Sequence, residues 1–89
     1  MLQYEWDPHK AQANFSKHKI AFADAVSAFG DDYAITIGDE HPNENRYILL
    51  GKDAQNRILV VIYTYRDERI RIISARKATQ TEINEYLKE

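Results

Sequence analysis

A chain of 89 residues, 44% hydrophobic and 29% charged, has the composition of one ordinary globular domain and is too short for a second core. It has no cysteine, which excludes a disulfide framework and thiolate metal sites. A formal net charge of −2 excludes a surface that is basic all over, and the longest apolar run, Ile58 to Tyr63, is far shorter than the ~20 residues of a membrane-spanning helix.

The opening MLQYEWDPHK has no basic-then-apolar signal pattern, so a cytoplasmic location is expected. Leu2 to Trp6 alternates apolar and polar residues and reads as a short strand. Asp7-Pro8 then starts a helix, with an acidic cap and proline at the first helical position. It should run to about His18, with Ala11, Asn14, Phe15 and His18 along one stripe. Phe22, Ala25, Val26 and Phe29 have the spacing of a second short amphipathic helix, ended by Gly30.

Strand patterns follow at Tyr33–Gly38, Arg46–Lys52, Arg57–Arg66 and Arg69–Ala75. The third is the longest and most apolar, which places it centrally, buried on both faces. The connections DAQN and RDE are short enough for an antiparallel meander. Thr79 and Glu82 have the spacing of a capping box and open a last helix packed through Ile83, Tyr86 and Leu87. The expected fold is α+β over residues 1–89: two N-terminal helices, a four-stranded antiparallel sheet and a C-terminal helix.

The charge is unevenly spread. Asp31 to Glu44 holds five acids and no Lys or Arg, whereas Arg57 to Lys77 holds six bases against Asp67 and Glu68. The last strand alternates Arg69 and Arg71 with Ile70 and Ile72. Arginines facing outward support two readings: a solvated face paired to nearby acids, in which each surface pair adds only about 0–1 kcal/mol, or a phosphate-binding face suited to the guanidinium fork. Tyr47, Tyr63 and Tyr65 lie beside Arg46 and Arg66, an interleaving that RNA-binding surfaces use and that strand propensity also explains. Strict alternation points Arg71 and Ser74 to opposite faces, so they share a site only if the strand bends or bulges between them.

Histidine is the usual proton-transfer group near neutral pH. His9 and His41 look incidental; His18 ends the first helix, where it can also satisfy the helix terminus. No histidine pair or carboxylate cluster has metal-ligand spacing, so no metal or cofactor is expected.

Three ordered blocks carry a family resemblance. EWDPHKAQANFSKHKIAF is similar to a pattern matched at Glu5, Trp6, Asp7, Lys10, Asn14, Lys17, His18 and Phe22. A second block matches at Glu44, Arg46 and Gly51, and YTYRDERIRIISARKAT matches a third at Thr64, Arg66, Ile70 to Arg76, and Ala78. Together they resemble the BrnT toxins of type II toxin–antitoxin systems. Where that family tends to carry glycine after Lys-His, this chain has Lys19, and a positive φ there costs lysine more than glycine.

The resemblance implies a RelE-like fold and a metal-independent ribonuclease that inhibits translation through attack of RNA's own 2′-hydroxyl. It implies charge stabilisation by Arg46, Arg66, Arg71 and Arg76, a hydrogen bond from Ser74, and proton transfer by His18 or Glu44. Arg57, Arg69, Tyr63, Tyr65 and Lys77 would make peripheral RNA contacts. The expected partner is a BrnA-like antitoxin that reaches operator DNA itself and forms a heterotetramer with the toxin. The rival readings are a non-catalytic basic-sheet interaction module and an inactive toxin relative.

Overall fold

The computed structural model describes residues 3–39 and 45–88. The elements follow in the order β1 (Gln3–Glu5), α1 (Pro8–His18), α2 (Phe22–Val26), a 3-10 turn (Ser27–Gly30), β2 (Ile35–Asp39), β3 (Arg46–Lys52), β4 (Ile58–Arg66), β5 (Arg69–Lys77) and α3 (Gln80–Leu87). The strands form one sheet ordered β1-β5-β4-β3-β2, with β4 in the middle.

The α+β class and the central place of β4 agree with the sequence reading. The strand count does not. The sheet has five strands and is mixed, because Gln3–Glu5 pairs in parallel with Arg69–Arg71. The alternation of the first residues marks a strand, but nothing local in the sequence says that it returns to the far edge of β5. That edge would otherwise leave backbone donors and acceptors unpaired.

The helices sit where local chemistry puts them. Asp7 caps α1 by accepting from the backbone N–H of His9 at 2.8 Å and of Lys10 at 3.4 Å. Thr79 and Glu82 complete the reciprocal capping box of α3. Tyr86 anchors α3 to the segment before β2 by donating to Asp31 Oδ2 at 2.5 Å. Burial, reinforced by the Asp31 carboxylate, pushes the Tyr86 phenol up to about 12.

The core lies between the sheet and the first two helices. Ile20, Phe22, Ala25 and Ala28 meet Leu49, Leu59, Val61, Tyr63, Ile70, Ile72 and Ala75 there. Gly51 is required by a close approach: a Cβ on it would stand 3.0 Å from the Ala28 carbonyl oxygen and 3.2 Å from Ala34 Cβ.

β5 does not alternate strictly. Ile62 is opposite Ser74 and Tyr63 is opposite Ile72, so Ile73 is an extra residue, a β-bulge. Ile70, Ile72 and Ala75 therefore all face the core. The same shift sends Arg71, Ser74 and Arg76 to the other, outer face.

One buried side chain secures the strand just past the bulge. Asn14, 8% exposed, accepts from Ala75 N–H at 3.1 Å and donates to Ala75 C=O at 2.8 Å. It also donates to Ile20 C=O at 3.1 Å. The carboxamide thus pairs with β5 as a neighbouring strand would, beyond the point where β1 ends.

Lys19, the residue between α1 and Ile20, is left-handed at φ 62°, ψ 27°, and its N–H closes the helix on Phe15 C=O. A backbone in this region favours glycine. A left-handed non-glycine residue costs about 1–2 kcal/mol, less the extra unfolded-state freedom of glycine, about 0.4–1 kcal/mol. Lys19→Gly is therefore expected to stabilise the fold by about 0.5–1 kcal/mol and raise Tm by roughly 2–8 °C in a thermal melt. An unchanged or lower Tm would mean that the turn is not strained.

Candidate nucleic-acid interface

The outer face is built from the alternate residues of each strand. The core positions Tyr63, Ile70, Ile72 and Ala75 fix the parity. Gln3 and Glu5 of β1, Arg69, Arg71, Ser74 and Arg76 of β5, and Thr64 and Arg66 of β4 consequently share the side away from α2. By the ladder register Arg46 of β3 shares it too. Of the seven residues expected to do chemistry, five are on this face: Arg46, Arg66, Arg71, Ser74 and Arg76. Glu44 lies outside the described residues. His18 ends α1, which packs on the core side of the sheet, so it is not on this face, and it is half-buried.

The arginines share a face but do not converge on one empty spot. Arg71 Nη1 donates to Glu5 Oε2 at 2.7 Å. Arg69 reaches the other oxygen of Glu5 at 3.6 Å and donates to Gln3 Oε1 at 3.2 Å. The hydrogen bond from Arg71, and then the charge of both guanidiniums, hold Glu5 below the usual carboxylate range. Two cations share this single carboxylate, and Asp67 and Glu68 of the adjoining turn lie beside Arg69 at the same end.

Further along, Arg76 forms a forked pair with Glu82 of α3, at 2.8 and 2.9 Å. Glu82 also accepts from Thr79 N–H at 2.8 Å. The Arg76 fork, followed by the capping hydrogen bond, holds the Glu82 carboxyl at about 2.

Arg66 is exposed and, among the described residues, engages no hydrogen-bond or ion-pair partner. It stands directly opposite Arg69, the last ladder pair before the Asp67-Glu68 turn. Like charges opposed in a ladder cost stability. Thr64, 7% exposed, donates to Asn45 C=O at 2.5 Å and fixes the start of β3 next to Arg46.

Other expected contacts are elsewhere. Arg57 donates through Nε to Asp53 at 2.9 Å and reaches Asp24 at 3.5 Å. It ties the β3–β4 turn to α2 and is not on the outer face. Tyr63 is core, only 4% exposed, and has no free ring face for a base. Tyr65 is 54% exposed but stacks edge-on with Tyr47 and Tyr63. Those tyrosines alternate with Thr64 and Arg66, so they are on the opposite side from the arginines. Lys77 shares the parity of Ala75 and also lies on that opposite side. The interleaving seen in sequence is a property of the strand, not of one surface.

Beside the arginines the outer face is apolar. Ile37, Ile48, Leu50, Val60 and Ile62 floor a groove of about 320 Å³ that Glu82 and Glu85 of α3 border. Among the described residues no three His, Asp or Glu side chains are grouped as a metal would need.

Sequence reasoning missed the three residues that organise this face. Asn14 reads as one polar position on an amphipathic stripe, although a carboxamide on a core-facing stripe signals a buried hydrogen-bond duty. Glu82 was legible as a cap but not as the partner of Arg76, and Glu5 is brought to Arg71 only by the parallel pairing.

A small α+β domain with a cationic, partly apolar sheet face fits a class of compact proteins that act on polyanions. The family described as "Ribonuclease toxin, BrnT, of type II toxin-antitoxin system" matches residues 6–82, and the chain belongs to it. The crystal structure of the Brucella abortus ribonuclease toxin, BrnT, matches with a TM-score of 0.71 at 25% identity, covering 90% of this chain and 100% of that one. No curated protein matches.

The Arg76–Glu82 pair makes a pH prediction. A carboxyl held at about 2, against an ordinary 4.5, adds stability that is complete above 4.5 and lost as pH falls through about 2. Glu82→Gln should therefore lower Tm at neutral pH, with the gap to the parent closing between pH 4.5 and 2. A gap that stays constant in acid would show that the pair is not what holds α3.

Proposed function

We propose that this chain is a metal-independent endoribonuclease whose outer sheet face binds the RNA backbone. One observation supports this reading most directly. The bulge at Ile73 brings Arg71, Ser74 and Arg76 to one face with Arg66 and Arg69. On this reading Arg46, Arg66, Arg71 and Arg76 stabilise charge as it develops on the phosphate, and Ser74 donates to a phosphate oxygen. His18 transfers the proton of the attacking 2′-hydroxyl or of the leaving 5′ oxygen, with Glu44 as the second candidate. The His18 imidazole has no hydrogen-bond or ion-pair partner among the described residues, which leaves it available to substrate. RNA phosphates displace Glu5 from Arg71 as they bind.

The antitoxin expected of a type II system is, on this reading, of the BrnA type. It neutralises the toxin as a heterotetramer in the cytoplasm and alone contacts operator DNA. The ion pairs of Arg71 with Glu5 and of Arg76 with Glu82 favour a second reading, in which the face is a protein-docking surface with no cleavage.

Incubation of purified protein with a structured RNA in EDTA separates the two. Cleavage is expected to persist, to leave 2′,3′-cyclic phosphate ends, and to fall by about 100-fold or more in Arg71→Ala. The log of RNA affinity should also drop steeply with log salt. Loss of cleavage in EDTA alone would defeat metal independence. Intact RNA throughout, with antitoxin still bound, would establish the docking reading.

A further inference from the structure

Asn14 belongs to the motif block that also contains His18, yet the reaction outlined above gives it no task. Its position is unusual. The side chain is buried and makes three hydrogen bonds: two to Ala75, at 2.8 and 3.1 Å, and one to Ile20, at 3.1 Å. Ala75 is the residue between Ser74 and Arg76. Ile20 is two residues past His18, across the left-handed Lys19. Asn14 is also one helical turn before His18 on the same face of α1.

We infer that Asn14 is a positioning residue: its carboxamide fixes the His18 turn against the Ser74–Arg76 segment of β5. The inference rests on the proposed role of His18 and goes one step deeper. Chemistry requires a carboxamide here. The position needs one acceptor, for Ala75 N–H, and donors for two carbonyls, those of Ala75 and Ile20, and the amide supplies both. A carboxylate keeps the acceptor but turns its oxygens toward those same carbonyls.

This link matters because His18 and the arginines come from opposite ends of the chain and from opposite sides of the sheet, so they share a site only around the β5 edge that Asn14 holds. β1 holds β5 only as far as Arg71. Past the bulge, the carboxamide makes the side-chain hydrogen bonds that join the His18 helix to β5. Proton transfer requires the imidazole and the phosphate-binding groups to be registered within a fraction of an ångström.

The test is a double-mutant cycle in single-turnover RNA cleavage. It comprises the parent, Asn14→Asp, His18→Ala and the double variant, with each rate normalised to the folded fraction from circular dichroism. Asn14→Asp is expected to slow cleavage by about 10- to 100-fold with His18 present, with little change in the RNA concentration at half-saturation. In the His18→Ala background the same substitution should cost less than about 3-fold, because the group it positions is gone. Asn14→Ser serves as a second variant if the aspartate does not fold. Equal losses in both backgrounds would overturn the inference and make Asn14 a purely structural residue. Full activity of His18→Ala by itself would remove the proton-transfer role beneath it, and that outcome is visible before Asn14 is touched.

Discussion

The single extra residue at Ile73 governs what the sheet can present. Strict alternation from Ile70 would send Ser74 into the core and Ala75 out to solvent. The bulge reverses the phase halfway along the strand. The core then closes on Ile70, Ile72 and Ala75, while the outer face gains Ser74 and Arg76 beside Arg71. Bulges leave a ladder locally unpaired and bend the strand, so something must hold the residue that follows. Asn14 does so. Leaving the Ala75 groups buried without partners would cost about 1–3 kcal/mol each, more than an ordinary surface contact provides.

The free edge of β5 is therefore covered by two different means. β1 pairs with its first three residues, and a side chain from α1 pairs with a fourth further on. The N-terminal segment is thus a structural strand partner, a cap and an edge cover in succession. The same carboxamide bonds Ile20 C=O and so supports the turn in which Lys19 is left-handed. A lysine is tolerated there because the surrounding contacts determine the turn, which is how strained backbone persists in folded proteins.

Much of this was legible in the sequence, for identifiable reasons. Asp7-Pro8 and Thr79-x-x-Glu82 signal helix starts through local hydrogen bonding, and both caps form as expected. The bounds of β3 at Arg46 and Lys52 follow from polar residues flanking an apolar run. The bulge was anticipated only as a condition for Arg71 and Ser74 to meet, because no residue type announces it. The fifth strand was misjudged because parallel pairing is a long-range choice. The arginine partners fail for the same reason: Glu5 is 66 residues from Arg71 in sequence, and no window spans that distance.

The ion pairs on the outer face differ in how readily a phosphate can replace them, and this orders the cations. Among the described residues Arg66 has no carboxylate to surrender. Arg69 is mostly exposed and its contact with Glu5 is long, at 3.6 Å; such exposed pairs hold weakly. Arg71 has a short bond to the same Glu5, yet a bound phosphate that takes Arg71 leaves Glu5 its second cation, so the carboxylate is never stranded. Arg76 differs. Its fork is forked onto Glu82, which also caps α3, so taking Arg76 away unsettles a helix terminus as well as an ion pair. On the proposed reading, a phosphodiester would meet the Arg66–Arg69–Arg71 end first, and would engage Arg76 only through the edge of the guanidinium that Glu82 leaves open or by moving α3.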